Sequence, residues 1–137
     1  MTNQTTTNNP LLQKISAPAG RVFLAAIFFM SGITKISGYA ATQGYMEVMG
    51  VPGVMLPLVI ALEVIGGLAI ILGWKTKLVA FALAGFSIAS AALFHADFSD
   101  QMQMGMFMKN IAIAGGFLML VAQGPGAYAL DNRLAKQ

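Results

Sequence analysis

Glu63 is a carboxylate in the middle of PLVIALEVIGGLAIILGW, Pro57 to Trp74, a stretch otherwise apolar enough to cross a membrane. Three basic side chains sit within or at the edges of other apolar stretches: Lys35 in FFMSGITK, His95 in LFHADF and Lys109 in MFMKNIA. A charged side chain at the bilayer centre costs roughly 2.5 to 3.5 kcal/mol on insertion scales, so it faces protein or a wet cavity and takes a partner there. Residues of this kind do one of three things in membranes: lock helices by an ion pair, hold a ligand, or pass protons.

Depth narrows the choice of partner. If its span enters at Val54, Glu63 lies roughly 14 Å deep at 1.5 Å per residue, and Lys109, entering from the same side at Gly105, roughly 6 Å. A lysine stem covers much of that difference, which makes Lys109 the first-choice partner of Glu63. Asn110 projects about 100° away around the same helix, so only one of the two faces Glu63 squarely. Ser31, Gly32 and Lys35 share a helical face with Phe28 and Arg21, and His95 ends a face of Ala84, Ser87 and Ala91. Each span thus supplies one ionisable group to the same half, and Lys35, Glu63, His95 and Lys109 are expected to meet in the interior of a bundle.

Other chemistries find no support in the sequence. One histidine and no cysteine make no transition-metal site, and Asp97 and Asp100 in a loop make no catalytic dyad, so neither catalytic nor metal-ligating residues are assigned. Met102, Met104, Met106 and Met108 offer thioethers that suit copper, but their alternation fits no single helical face and reads as packing and lipid contact. Eight scattered Lys and Arg form no stripe that would track a phosphate backbone, which argues against nucleic acid.

The elements that must position these groups follow from composition. Of 137 residues 57% are hydrophobic and 9% charged, a balance that points to lipid rather than water. Four segments near the ~20 residues a spanning helix needs cover about residues 20–37, 54–73, 78–94 and 105–122. The expected fold is an all-α membrane protein, four transmembrane helices in a compact bundle over residues 19–123. A short interfacial helix is expected between the first two spans, because Tyr39, Tyr45, Met46 and Met49 have amphipathic spacing there. Residues 1–18 read as a flexible polar tail, with Pro18 at the helix start, and 124–137 as a short polar tail after Gly124-Pro125-Gly126. Gly32, Gly66, Gly67, Gly85, Gly115 and Gly116 are expected to let helix backbones approach closely.

Lys14, Arg21, Lys75, Lys77, Arg133 and Lys136 all fall on one side of these spans, which predicts cytoplasmic termini. Arg21 is expected to be an interfacial anchor and topology determinant at that side.

The ordered pieces RVFLAAIFFMSGITKISGY, TQGYMEVMGVPGVMLPL, ALEVIGGLAIILGWKTK, LFHADF and MFMKNIAIAGGFLMLVAQGPGAYALD resemble the DoxX family of small bacterial inner-membrane proteins, from about Arg21 to Asp131. The resemblance implies a plasma-membrane protein of four helices, and its pattern falls here on Arg21, Gly32, Lys35, Tyr45, Gly50, Pro52, Glu63, Gly66, Gly73, His95, Lys109 and Asn110. It also implies a link to quinone or to thiol and sulfur chemistry, since relatives include a subunit of an archaeal thiosulfate:quinone oxidoreductase. The leading reading is a binding or accessory subunit, with Lys35, Tyr45, Glu63, His95, Lys109 and Asn110 as the ligand-binding or buried polar cluster. Quinone is the candidate ligand and a redox enzyme the candidate partner. A structural scaffold is the second reading. A proton-coupled transporter is the third, and with four short spans it requires a homo-oligomer.

Overall fold

The computed structural model describes residues 9–137, and every regular element among them is a helix. Helix α1, Pro10–Ser37, begins where the Asn9 side chain accepts from the backbone N–H groups of Leu11 and Leu12 and Pro10 occupies the first turn. The helix therefore starts well before Pro18, which lies inside it. The expected polar tail shrinks accordingly: its residues 1–8 lie outside the described part, and Pro10 to Ala19 are helical. A membrane helix tolerates the main-chain bond lost at an internal proline because its neighbours re-satisfy the backbone.

Helix α2, Tyr39–Val48, follows after Gly38 and buries Met46, leaving Tyr39, Tyr45 and Met49 partly exposed. Gly50, at φ +81°, turns the chain into the single 3-10 turn Gly53–Met55 and then α3, Leu56–Leu72. That helix ends in a Schellman motif: Gly73 adopts φ +70°, Trp74 N–H donates to Ala69 O, and Gly73 N–H to Ile70 O. Helix α4 covers Thr76–Phe94 and α5 covers Gln101–Gln123. Helix α5 starts four residues earlier than expected because the Asp100 side chain accepts from Met102 and Gln103 N–H and caps it.

Helices α1, α4 and α5, and α3 taken with the 3-10 turn before it as Gly53–Leu72, are each apolar and long enough to cross a membrane. They pack chiefly as two pairs, α1 on α3 and α4 on α5, joined through α3 against α4. Gly67 and Gly32 let α1 meet α3 closely: a β-carbon on Gly67 would stand 3.1 Å from Phe29 N, and one on Gly32 2.5 Å from Val64 Cγ2. Gly85 and Gly115 differ from expectation, since a β-carbon on either meets nothing within 4 Å. Phe28 carries the central contacts, edge-on to Phe117 at 5.4 Å and to Phe86 at 6.3 Å. Such pairs contribute about 0.5 to 1.5 kcal/mol each beyond area burial.

The chain after Gly124 is not a free tail. Ala129 is buried against Gly73, and the short helix α6, Leu130–Leu134, places Asp131 so that its carboxylate accepts from Lys75 and Thr76 N–H. Helix α4 has no cap from its own sequence, and a residue more than fifty positions away supplies it. Asp131 N–H in turn donates to Gly73 O. This end of the bundle, called terminal below, lies opposite the distal end that carries α2, Lys35 and His95.

Candidate functional site

Glu63 lies midway along α3, 3% exposed, and faces α1. The Lys35 ammonium donates to Oε1 at 3.0 Å and stands 2.9 Å from Oε2, where the contact is ionic without hydrogen-bond geometry. It also donates to Ser31 Oγ at 2.6 Å, and that hydroxyl donates to Glu63 Oε1 at 3.3 Å. Ser31 and Lys35 are one turn apart on α1, so both reach the same carboxylate. Gly32, between them, is the residue whose missing side chain lets α3 come near enough.

The partner of Glu63 is thus Lys35, not Lys109. Helix α5 packs against α4 rather than α3, which leaves Lys109 on another wall, where its Nζ lies 3.7 Å from Met106 Sδ. His95 caps the end of α4, and its Nδ1 is 2.7 Å from Gln103 Oε1 at the start of α5. An amide oxygen only accepts, so with this orientation Nδ1 is the donor, and Nε2 makes no hydrogen bond among the described residues. The loop between them is stiffened by Asp97, whose carboxyl accepts from the Ser99 hydroxyl and backbone and is held below the usual carboxylate range by those bonds. Tyr45 stacks on Phe94 at 5.6 Å.

These groups do not touch one another as a single cluster, yet they surround one space. A cavity of about 420 Å³ at the distal end is lined by Lys35, Tyr45, Glu63, His95, Lys109 and Asn110. Between these polar groups its wall is mostly apolar, with Phe28, Met46, Phe86 and Ile113 prominent. Ser31, Thr42, Ser87 and Ser90 add hydroxyls; Ser87 donates to Leu83 O and Thr42 to Gly38 O. Lys109 and Asn110 both reach the cavity although they are adjacent on α5. The space is wide enough that a 100° difference of direction still meets it.

The methionine run is dispersed around the first turns of α5. Met102, Met104, Met106 and Met108 are all exposed, and only Met106 reaches the cavity.

Arg21 also departs from expectation. It is 1% exposed, not a headgroup anchor, and its guanidinium donates to four carbonyls: Ile70 and Ile71 at the end of α3, and Ala127 and Tyr128 in the C-terminal segment. The unpaired carbonyls of a helix C-terminus are what a planar cation suits. Arg21 and Asp131 together tie the C-terminal segment across the α3–α4 turn. The Asp131 carboxyl is pushed up by partial burial, but bonds from Thr76 and Lys75 N–H and the charge of Arg21 outweigh that and hold it below its ordinary value.

A family model described as DoxX matches residues 17–96. The chain is 49% identical to "Inner membrane protein YqjF" of Escherichia coli (strain K12), over 92% of this chain and 97% of that protein. It is 35% identical to "Inner membrane protein YphA" of the same organism, over 82% of this chain and 86% of that protein. No solved structure matches it.

Proposed function

The chain belongs to the DoxX family, and from that premise we propose that it is a membrane-embedded binding subunit whose distal cavity receives a small, mostly apolar molecule bearing hydrogen-bond-accepting oxygens. The single observation that carries this reading is a cavity of about 420 Å³ with Glu63 and Lys35 in its wall, where a scaffold would fill its interior with side chains. The volume falls within the roughly 300 to 1,000 Å³ range of small-molecule sites, and apolar walls with a few placed polar groups are their usual lining.

The donors available favour a quinone-like head. Lys35 is committed to Glu63 and Ser31, but the Lys109 ammonium touches only a thioether among the described residues, and the Asn110 amide makes no hydrogen bond there. Two such donors on an apolar wall suit carbonyl oxygens on a flat ring. The chain has no cysteine, and in this reading electrons pass to or from a partner, an enzyme of quinone or of thiol and sulfur chemistry. The relatives' names place those proteins in the inner membrane. With six of eight Lys and Arg on the side of the termini, this chain sits there with both termini cytoplasmic and the cavity in the outer half.

The scaffold reading rests on a different observation, the Lys35–Glu63 ion pair, which joins α1 to α3 whether or not anything binds. One experiment separates them. Purified from its native membrane, the chain is expected to carry a lipid quinone detectable by mass spectrometry, in amounts reduced by Lys109→Ala or His95→Ala and by Ser90→Leu, which fills the cavity. Quinone at the level of an unrelated four-span protein, or retained equally by all three variants, rejects the binding reading and leaves the scaffold.

A further inference from the structure

A second concavity lies at the opposite, terminal end, between α1 and α5, independent of the distal cavity. Helices α1 and α5 belong to different pairs and approach each other mainly where Leu24 fills the space left by Gly116 and where Phe28 meets Phe117. On the terminal side of Leu24 they part, leaving an open groove of about 600 Å³ floored by Gly20, Phe23, Leu24, Met119 and Leu120. The groove is mostly apolar; Arg21 also borders it, with its guanidinium engaged by four backbone carbonyls, and Ser16, Gln123 and Gly124 stand at its mouth.

The mouth is cationic on both sides. Lys14 lies one turn before Ala17, a residue of the groove wall, and on the same face of α1. Across the mouth, a β-carbon built on Gly124 would stand 3.4 Å from Lys77 Cε. Both lysines are exposed, and neither is ion-paired among the described residues, where the sole salt bridge is Lys35–Glu63. The terminal end as a whole holds Lys14, Arg21, Lys75, Lys77, Arg133 and Lys136 against Asp131 alone, and that carboxylate is engaged in capping α4.

We propose that this groove seats one anionic phospholipid, with an acyl chain along Phe23, Leu24, Met119 and Leu120 and the phosphate between Lys14 and Lys77. An apolar channel open to the bilayer takes a hydrocarbon chain. Two unpaired ammonium groups where that channel reaches the headgroup level then select negative charge. A zwitterionic lipid fills the same channel but gains little from the lysines.

Native mass spectrometry of the full chain in detergent, with equimolar phosphatidylglycerol and phosphatidylcholine of identical acyl chains, tests this. One phosphatidylglycerol is expected to stay bound in clear preference, and Lys14→Ala and Lys77→Ala should each weaken it about fivefold. Gly20→Leu projects a side chain into the groove from a position where a β-carbon meets nothing within 4 Å. It should reduce retention with both lysines intact, while Lys14→Arg with Lys77→Arg should keep the preference. Equal retention of the two lipids, or lysine-to-alanine variants that bind like the parent, overturns the proposal. So does a Gly20→Leu chain that keeps its lipid, because headgroups would then gather on diffuse charge without a seat.

Discussion

Lys35 and Glu63 meet across the α1–α3 interface with the ammonium 3.0 and 2.9 Å from the two carboxylate oxygens, and Ser31 bridges them. The carboxylate is 3% exposed, so loss of its cation strands a charge in a low-dielectric interior. Removing one partner of a buried pair destabilises by about 3 to 5 kcal/mol, while replacing both by apolar groups of similar volume is often neutral. Lys35→Met is therefore expected to lower stability by that amount in mixed-micelle denaturation, and Lys35→Met with Glu63→Leu to recover most of it. Lys109→Met should change stability by less than about 1 kcal/mol, as an exposed group does. A Lys109 effect equal to that of Lys35 would contradict the pairing.

Arg21 satisfies carbonyls from two separate segments at once, which a lysine's compact ammonium cannot reproduce. Arg21→Lys is expected to free the C-terminal segment while leaving the four long helices folded. Hydrogen exchange at Ala129 to Asn132 should rise strongly, and limited proteolysis should cut near Tyr128. Unchanged protection there would show that the segment is held by Ala129 packing and Asp131 alone.

How far the sequence reveals this arrangement differs between span and site. Apolar length suffices for four helices, because lipid demands ~20 apolar residues per crossing whatever the neighbours are. Which polar residues border the distal cavity was legible as well, because Lys35, Glu63, Lys109 and Asn110 stand out in or beside apolar stretches; a binding role for them is the reading proposed above. The pairing among them was not. Depth alone favours Lys109 for Glu63, whereas the structure gives Lys35, because Gly32 and Gly67 choose α1 as the neighbour of α3. The signal existed in the Ser31 to Lys35 spacing, yet a one-turn pair becomes informative only once the facing helix is known. Arg21 was misplaced for a similar reason: its partners are backbone carbonyls of segments about 50 and 106 residues away, which no side-chain pattern marks.

The glycines divide into two kinds that mutation should separate. A β-carbon on Gly67 would press on the Phe29 and Ala25 backbone at 3.1 to 3.3 Å, where no side chain can swing aside. Gly85 and Gly115 face open space. Gly67→Val is expected to push α1 from α3 and destabilise by about 1 to 3 kcal/mol, the usual range for overpacking. Gly85→Ala and Gly115→Ala should be neutral or stabilise by up to about 1 kcal/mol through helix propensity. Denaturation curves in one detergent settle the comparison, and a destabilising Gly115→Ala would point to a contact that face makes with another molecule.

Asp131 makes the C-terminal tie sensitive to acid. Its carboxylate accepts from Lys75 N–H at 2.7 Å and from Thr76 N–H at 2.9 Å, and those bonds, with Arg21, hold its pKa below the ordinary value against the opposing effect of burial. A carboxyl with a depressed folded-state pKa contributes stability that is fully present above the unfolded value, about 3.9 for aspartate, and is lost as pH falls through the folded value. Hydrogen exchange at Thr76 and Asp131 should therefore be slow and flat, after correction for intrinsic rates, from neutral pH down to about 4, then accelerate below it. Protonation leaves the start of α4 without a charged cap, so the first turn of α4 and the segment from Ala127 should open together. Asp131→Asn keeps the shape but not the charge, and is expected to show weaker protection throughout with no acid-dependent step. A step that persists in Asp131→Asn would assign the acid sensitivity to a different carboxylate and remove Asp131 from that role.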